Sequence, residues 1–292
     1  MDAVKIRVPA TSANIGPGFD SLGCAFNIYN MLTFTRAANV SVTGCPAEYA
    51  NENNLALVAF RAACRRAGKQ PCPVSLHIQT DVPVSRGLGS SATLIVGGAL
   101  GADKLLSLGL SRKDIFEIAN ELEGHPDNVA PAIFGGFTAC LVEQGRPYAT
   151  QTPISPDLHF CAFVPDFELP TSRARSVLPA TVPFADAVRN VTHVAVLLSA
   201  LREGDTALLS IALSDRLHEP CRRPLIPGFT VAEREALALG AHAFFISGSG
   251  STCMAIYTDP AFPAAITARM AELLPAWRVL ALEVDRDGAI AL

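Results

Sequence analysis

The sequence contains 292 residues, of which 50% are hydrophobic and 17% are charged, and its formal net charge is −4 at pH 7. A chain of this length can bury a large core and usually divides into two domains. The negative net charge and the scattered basic residues exclude the clustered cationic surface that nucleic acid requires. The longest apolar run, residues 92–102, is too short to cross a bilayer, so we expect no membrane partner either.

Cysteine usage and the N-terminal residues indicate the compartment. The eight cysteines are dispersed, and none forms a C-x-x-C pair or lies near a histidine at the spacing of a zinc site. This pattern is typical of reduced thiols that behave as small apolar residues. The N-terminal residues also lack the basic and apolar regions of a signal peptide, so we expect a cytoplasmic protein.

In the first half of the chain, apolar periodicity predicts both strands and helices. Strands are predicted at residues 4–8, 30–35, 40–43, 74–79 and 135–142. Helices are predicted at residues 55–67, 90–108 and 111–123. Pro9 is expected to end the first strand, and a loop rich in Ser, Asn and Gly follows at residues 11–23. The last of these helices has the clearest pattern, because Ser111 and Asp114 can form a capping box ahead of apolar residues at helical spacing.

The second half is predicted to mix the same elements. The polar, proline-containing segment 144–156 is interpreted as the boundary between two domains, residues 1–152 and residues 153–292. Strands are predicted at residues 159–164, 243–247, 252–257 and 277–284. Helices are predicted at residues 184–201, 205–217, 231–239 and 263–274. Both halves together predict an α+β fold.

The most informative segment is residues 83–93, which follow the predicted strand at residues 74–79 and include the start of the predicted helix at residues 90–108. Two glycines there allow close backbone approach and positive φ angles, and the helix that follows offers free N–H groups and the positive end of its dipole. This combination predicts a phosphate-binding loop, in which Ser90 and Ser91 can cap the helix or offer hydroxyls to a phosphate or a Mg²⁺ ion. The expected nucleotide contacts are Pro83, Val84, Ser85, Arg86, Gly87, Leu88, Gly89, Ser90, Ser91, Ala92 and Thr93.

Three alternatives to a phosphate loop of this kind can be compared. An ordinary strand–turn–helix connection with a serine cap explains the segment equally well when it is taken alone. Residues 87–92 also fit the dinucleotide pattern G-x-G-x-x-A, but no strand ending in an acidic residue follows about 20 residues later. A Walker loop requires Gly-Lys-Ser/Thr, and the segment contains no lysine.

Two further glycine-rich segments, residues 9–23 and 246–252, can be compared with known families together with this loop. Together the three resemble, in order, the signatures of the superfamily of galactokinase, homoserine kinase, mevalonate kinase and phosphomevalonate kinase (GHMP kinases). Segments 121–131 and 219–229 narrow the resemblance to the homoserine kinases, and the similarity extends over nearly the whole chain. Ser251 stands where the family usually has proline, which is expected to loosen that turn without removing a functional side chain.

The resemblance implies a two-domain GHMP-kinase fold of the α+β class. Residues 1–152 would form a ribosomal-protein-S5-like domain with the ATP loop and the metal-binding acid, and residues 153–292 an α+β (ferredoxin-like) domain with the substrate arginines. ATP and substrate would lie in the cleft between them. A homodimer is a further expectation from the resemblance.

The resemblance also implies a function. This is the ATP- and Mg²⁺-dependent phosphorylation of the side-chain hydroxyl of L-homoserine to O-phospho-L-homoserine, in threonine biosynthesis. Two alternatives stay open: another kinase of the superfamily, acting on mevalonate, shikimate or a cytidine-diphospho-sugar alcohol, and a ligand sensor on the same fold without turnover.

Roles for individual residues follow from the same resemblance. Ser91 and Glu123 would position Mg²⁺, a cation that prefers oxygen ligands, with Glu121 as the alternative acid. Asn14 and Asp20 would bind the amino acid, and Arg175 and Arg222 its carboxylate, which the planar guanidinium group can bind with two hydrogen bonds.

The polar cluster just after the metal-binding acid would contact the acceptor. His125 resembles a substrate contact of the family. Asp127 can accept the hydroxyl proton as a general base while Asn128 orients the hydroxyl. A transfer driven by positioning and charge stabilisation, without a dedicated base, fits the same residues.

Overall fold

The computed structural model describes residues 2–292, which form two β-sheets with helices packed on them. The strands are β1 (Ala3–Ala13), β2 (Leu22–Arg36), β3 (Ser41–Thr43), β4 (Val74–Thr80), β5 (Phe137–Glu143), β6 (Arg146–Thr152), β7 (His159–Val164), β8 (Ala243–Ile246), β9 (Cys253–Tyr257), β10 (Arg278–Leu282) and β11 (Ile290–Ala291). The helices are α1 (Leu55–Arg66), α2 (Ser90–Leu106), α3 (Arg112–Glu123), α4 (Pro126–Phe134), α5 (Thr171–Ser176), α6 (Phe184–Glu203), α7 (Thr206–Ala212), α8 (Glu219–Arg222), α9 (Phe229–Ala238) and α10 (Phe262–Leu273).

The hairpin of β1 and β2 is the centre of the first sheet. The two strands pair antiparallel along the whole of β1, and β2 pairs in addition with β4 and β5. The prediction that the first strand ends at Pro9 is wrong, because the register shifts between Pro9 and Ala10 and pairing then resumes. Proline has no N–H to donate and is accommodated in strands at such irregularities. The strand therefore continues to Ala13 and leads directly into the loop at residues 14–21.

Helix α2 approaches both α1 and the first sheet closely because its contact positions are glycines. A Cβ atom added at Gly98 would lie 2.0 Å from the carbonyl oxygen of Ala56 in α1. One added at Gly101 would lie 2.4 Å from the ring of Phe34 in β2. Glycine costs about 1 kcal/mol relative to alanine within a helix, and the close packing that it allows offsets this cost.

Helices α3 and α4 follow each other with only two residues between them. The capping box predicted for α3 is confirmed, since Ser111 and Asp114 exchange side-chain and backbone hydrogen bonds. No helix was predicted for residues 126–134, where α4 lies. Pro126 occupies its first turn, a position that needs no N–H donor, but Pro131 lies inside it and disguises the helical pattern.

The second sheet has the strand order β10-β7-β9-β8, and all its neighbours are antiparallel. An apolar core lies between the two sheets, where the rings of Phe26 in β2 and Phe160 in β7 are 5.2 Å apart. The predicted boundary segment contains β6, which pairs with β5 of the first sheet, and β11 returns to pair with β1. A boundary at residue 153 stays a prediction.

Helix α6 is long and apolar enough, by length and composition, to cross a membrane. One such helix is weak evidence of a membrane span, since core helices of water-soluble proteins pass the same test. Its later turns pack into the core between the sheets through Leu197, Ala200 and Leu201, whereas Phe184 and Val191 are exposed. The C-terminal half of α6 therefore belongs to the core.

The packing of α2 leads to a prediction about stability. We expect Gly98→Ala to lower the free energy of unfolding, despite its gain in helix propensity, because the added methyl group meets a backbone carbonyl that cannot rotate away. Gly97→Ala is the matched control in the same helix, since the nearest atoms to its methyl group are side-chain methyls of Leu32 and Val8 and not backbone. Urea unfolding of the two variants compares them. A Gly98→Ala protein as stable as Gly97→Ala would contradict the packing argument.

Candidate active site

A cleft of about 510 Å³ opens between the two halves of the chain. Its walls come from residues 14–128 of the first half and 171–249 of the second. The predicted site residues that line it are Asn14, Val84, Ser85, Arg86, Gly87, Gly89, Ser90, Ser91, Glu123, His125, Asn128, Arg175 and Arg222. The structure thus brings the predicted phosphate loop and the predicted substrate residues into one space.

The phosphate loop requires glycine at both of its glycine positions. Gly87 and Gly89 have φ angles of 74° and 68°, which favour glycine. A Cβ atom at Gly87 would lie 2.2 Å from the carbonyl oxygen of Ser247, and one at Gly89 would lie 1.9 Å from the hydroxyl oxygen of Thr11. Gly89 is the N-cap of α2, and no side chain of the described residues caps this helix. The expected serine cap is therefore wrong, and the first amides of α2 remain available to an anion.

The three glycine-rich segments meet around one side chain. The hydroxyl of Ser247 lies 2.6 Å from the carbonyl oxygen of Gly87 and 2.8 Å from the hydroxyl of Ser12. The amide of Thr252 donates to the carbonyl of Arg86 at 3.0 Å. These contacts join loops that are more than 70 residues apart in the sequence, so the phosphate loop has a fixed shape.

Four of the predicted loop contacts lie outside the cleft lining. Leu88 and Ala92 are buried in the apolar cores. Thr93 is also buried, and its hydroxyl donates to the carbonyl of Ser90 and accepts a hydrogen bond from the side chain of Asn30. The fourth is Pro83. These four residues stabilise the loop, and the other seven face the cleft.

Ser91 and Glu123 form a pair of oxygen donors beside the phosphate loop. The hydroxyl of Ser91, in the first turn of α2, donates to Oε2 of Glu123, the last residue of α3, at 2.6 Å. Burial raises the pKa of Glu123 above its ordinary value, although the hydrogen bond from Ser91 opposes that shift. Glu121 is exposed and does not line the cleft. Of the two acids considered, only Glu123 faces the cleft.

Asp20 and Arg175 form an ion pair at the other side of the cleft. The two nitrogens of the guanidinium fork lie 2.6 and 3.2 Å from the carboxylate oxygens of Asp20. Asn14 fixes the turn that carries the carboxylate, because its side-chain oxygen accepts a hydrogen bond from the amide of Asp20 at 2.8 Å. Both Asn14 and Asp20 have φ angles near +50°, a conformation that Asn and Asp tolerate better than most residues.

Arg222 is buried, with 1% of its surface exposed, yet it lines the cleft. Its Nη1 donates to the carbonyl of Gly248 at 2.9 Å, and its Nε donates to the carbonyl of Ala174 at 3.3 Å. The ring of Phe19 lies under both guanidinium groups, 5.2 Å from that of Arg222 and 5.5 Å from that of Arg175. Within the described residues, no carboxylate lies at salt-bridge distance from Arg222, so its charge has no anionic partner.

His125, Asp127 and Asn128 are clustered at the start of α4. The imidazole Nδ1 of His125 lies 2.8 Å from Oδ1 of Asp127. Burial alone would lower the pKa of His125, but the hydrogen bond and charge of Asp127 raise it above the ordinary value. Asp127 is fully buried behind this ring, and its Oδ2 has no partner among the described residues. The side-chain oxygen of Asn128 accepts a hydrogen bond from Thr11 at 2.8 Å, which turns its amide nitrogen away from Thr11.

A further wall of the cleft was not predicted from the sequence. It is formed by residues 45–55, and Leu94 of α2 also lines the cleft. Asn54 is its anchor: the side-chain oxygen caps α1 at the amide of Ala56, and the side-chain nitrogen donates to the carbonyl of Tyr49. The run Asn51-Glu52-Asn53-Asn54 ahead of a helix was the available signal, but it reads equally well as an ordinary helix cap.

Comparisons with known proteins agree with this architecture. Residues 54–136 match the GHMP kinases N terminal domain, and residues 197–276 match the GHMP kinases C terminal domain. A homoserine kinase of Clostridium botulinum (strain Langeland) is 40% identical over 290 residues, which cover 98% of each chain. A homoserine kinase of Clostridium beijerinckii is 38% identical over 292 residues, 98% of this chain and 97% of the relative.

Solved structures give the same result for the fold. A homoserine kinase from Cytophaga hutchinsonii has a TM-score of 0.90 and 28% identity, and the match covers 100% of this chain and 98% of that chain. A mevalonate kinase of L. major, in complex with R-mevalonate, has a TM-score of 0.76 at 16% identity and shares the fold alone. Two matched domains with a phosphate loop facing the cleft between them define a small-molecule kinase. The chain belongs to the GHMP kinase family, and the predicted α+β fold of that family is confirmed.

Proposed function

We propose that this kinase transfers the γ-phosphoryl group of ATP to the side-chain hydroxyl of L-homoserine, forming O-phospho-L-homoserine in threonine biosynthesis. The observation that carries the proposal is the presence of Arg175 and Arg222 in the same cleft as the phosphate loop, with Asp20 paired to Arg175 just outside the cleft lining. A free amino acid carries both signs of charge, so its ammonium group suits Asp20 and its carboxylate suits the arginines. The relatives that are named homoserine kinase support the same acceptor.

The buried charge of Arg222 is the strongest argument for an anionic substrate group. Its hydrogen-bond partners are carbonyl groups and an imidazole, so the guanidinium group has no direct ion pair. A buried cation without a paired anion costs several kcal/mol. Burial and the nearby Arg175 lower the pKa of Arg222, and the more distant carboxylates of Asp20, Asp127 and Asp215 oppose that shift without reversing it. Nη2 has no hydrogen-bond partner among the described residues. A substrate carboxylate at this position would supply both the anion and the acceptor.

The nucleotide side of the cleft suits ATP. The free amides at the start of α2 and the backbone of residues 84–89 would hold the triphosphate, as helix N-termini do for anions. The wall at residues 45–55 combines apolar atoms with side-chain amides, a lining that suits a purine base and its ribose. We assign that wall to the nucleoside.

The residues present also fit a Mg²⁺ ion between the two sides. Ser91 and Glu123 offer hard oxygen atoms 2.6 Å apart on the rim of the phosphate loop. The described residues contain no group of three or more His, Cys, Asp or Glu side chains that could hold a metal ion. A cation there would therefore take its remaining ligands from phosphate oxygens and water, as Mg²⁺ commonly does. When bound, it would neutralise phosphate charge.

For the acceptor hydroxyl we propose that Asn128 orients it and that Asp127 takes its proton. The side-chain nitrogen Nδ2 of Asn128 has no partner among the described residues, and the side chain lines the cleft. Asp127 lies behind His125, so the proton would reach it through the imidazole ring or a water molecule. A transfer that depends on positioning alone is the alternative, because phosphoryl transfer needs little covalent assistance.

We place the reaction in the cytoplasm. All eight cysteines of the chain are unpaired, and most of them are buried. Unpaired thiols in this number are typical of a reducing compartment. Burial raises the pKa of Cys64 to about 11, so this thiol is protonated and unreactive at neutral pH.

The direct test is phosphate transfer from ATP to L-homoserine by the purified protein, measured by coupled ADP release and by mass spectrometry of the product. We expect turnover with L-homoserine and little with D-homoserine, L-serine, mevalonate or shikimate, because the acid, the arginines and the phosphate loop fix both charge and chain length. Turnover with mevalonate or shikimate in preference to L-homoserine would refute the proposed acceptor. Binding of both ligands without turnover would indicate a sensor.

Glu123, which lines the cleft, and Asp127, buried behind His125, give a second prediction. Glu123→Gln should lower kcat by about 10- to 150-fold, the equivalent of losing one interaction with a charged group, about 1.5–3 kcal/mol. Asp127→Asn should lower kcat by about 10²- to 10⁴-fold if the proton goes to Asp127. Glu121→Gln is the control, since Glu121 is exposed outside the cleft. Near-normal kcat for Asp127→Asn would favour transfer by positioning alone, and near-normal kcat for Glu123→Gln would exclude it as the metal ligand.

The amino-acid side gives a third prediction. Asp20→Asn keeps the shape of the side chain but removes its charge, so we expect the KM for L-homoserine to rise by about 10- to 150-fold while the KM for ATP changes less than about threefold. Arg222→Lys should act in the same direction, because lysine lacks the planar fork. Asp157→Asn, at an exposed position, serves as the control. Equal changes in the two KM values would count against the assignment.

A further inference from the structure

A buried histidine lies directly behind the substrate arginine. His218 has none of its surface exposed and precedes α8, the short helix that ends at Arg222. Its Nδ1 lies 3.3 Å from Nη1 of Arg222, and its Nε2 lies 3.0 Å from the carbonyl oxygen of Gly16. The imidazole ring therefore connects the substrate arginine with the first glycine-rich loop.

The two partners fix both the tautomer and the charge of the ring. A guanidinium nitrogen can only donate, so Nδ1 must carry a lone pair and accept. A carbonyl oxygen can only accept, so Nε2 must carry the proton and donate. Both conditions are met only by the neutral Nε2–H tautomer. An imidazolium ring would point an N–H at the N–H of Arg222 and break that contact.

The charged groups around His218 act in opposite directions. Burial lowers its pKa, the carboxylate of Asp215 raises it, and the charge of Arg222 lowers it further, while Asp20 of the first loop raises it more weakly. The net shift is downward. Because a histidine with a lowered pKa loses its proton at a lower pH than usual, the ring is neutral at neutral pH.

The rest of the surroundings hold the ring in place. Asp215 accepts hydrogen bonds from the amides of Leu217, His218 and Glu219, which fixes the backbone ahead of α8. The ring also stacks on Phe19, with centroids 5.2 Å apart and an interplanar angle of 30°. Phe19 is the same ring that lies under the two guanidinium groups. The carboxylate of Asp215 also lies 3.8 Å from Nε2, farther than the carbonyl oxygen of Gly16 that accepts the hydrogen bond. The contacts of the ring with Arg222, Gly16 and Phe19 all lead to the amino-acid side of the cleft.

We infer that His218 is a positioning residue for the acceptor: as the neutral Nε2–H tautomer it orients the guanidinium group of Arg222 toward the substrate carboxylate and ties Arg222 to the loop that carries Asp20. This inference rests on the proposed function, in which Arg222 binds the carboxylate of an amino acid. His218 itself touches neither substrate nor nucleotide. Its effect is expected on the binding of the amino acid and not on the chemical step.

Kinetics of two substitutions test this role. His218→Phe keeps a ring of similar size against Phe19 but loses both hydrogen bonds, so the KM for L-homoserine should rise about tenfold or more, with kcat and the KM for ATP within about twofold. His218→Gln supplies an acceptor oxygen and a donor nitrogen, so it should recover most of that loss. His159→Phe, at an exposed histidine of the second sheet, is the control. A purely structural role would lower stability in both variants and leave the KM for L-homoserine unchanged, which would overturn the inference.

A measurement on the protein without substrate tests the same inference independently of the reaction. ¹⁵N-edited NMR of the imidazole groups, assigned by the signal missing in His218→Gln, should show a neutral Nε2–H ring at neutral pH. An imidazolium or an Nδ1–H tautomer at pH 7 would overturn it. If wild-type protein does not phosphorylate L-homoserine but the tautomer is as expected, the acceptor assignment fails and the Arg222–His218 contact stands.

Discussion

Three backbone segments that are distant in sequence meet around the hydroxyl of Ser247, and the cleft depends on their close approach. The segments can approach this closely only because Gly87 and Gly89 have no side chain. A Cβ atom at Gly87 would overlap the carbonyl group of Ser247, and one at Gly89 would overlap Thr11. The approach brings the start of α2 to the cleft with its amides free. Glycine is therefore required at these two positions for two reasons: it tolerates the positive φ angles, and its lack of a side chain allows the close contacts.

The same approach sets the electrostatics of the acceptor side. The loop that follows β1 carries Asp20, and it lies against α8 and the loop after β8, so opposite charges from the two halves of the chain come close together. Arg175 is balanced by Asp20, whereas Arg222 is surrounded by carbonyl oxygens and a neutral imidazole. An unbalanced buried cation lowers stability in the absence of ligand. The protein thus retains in its ligand-free state an attraction for anions that a fully paired site would lack.

Much of this arrangement could be predicted from the sequence, and the failures have identifiable causes. Regular periodicity located α1, α3, α6 and β7 to within a residue or two. Proline misled twice, since Pro9 lies at a bulge inside β1 and Pro131 lies inside α4. The strand β6 was taken for a polar linker, because most of its side chains are exposed and show no apolar alternation.

The candidate site, like the fold, could be predicted from the sequence only in part. Local motifs pointed to the phosphate loop and to the cluster at residues 125–128, since their residues are adjacent in the chain. The cleft wall at residues 45–55 and the contact of His218 with Gly16 could not be predicted, because each depends on residues separated by about 40 to 200 positions. Burial of Arg222 is likewise invisible in a sequence, where an arginine beside another arginine is typical of a solvated surface.

The loop after β1 belongs by sequence to the first half of the chain but is held by the second. The carbonyl groups of Gly16 and Pro17 accept hydrogen bonds from His218 and Asn190, and Leu213 packs against Gly16. In the acceptor site proposed above, Asp20 comes from one half and the two arginines from the other. Recombination that replaced one half with that of a distant relative would therefore alter the choice of acceptor, together with the contact of Ser247 with the phosphate loop.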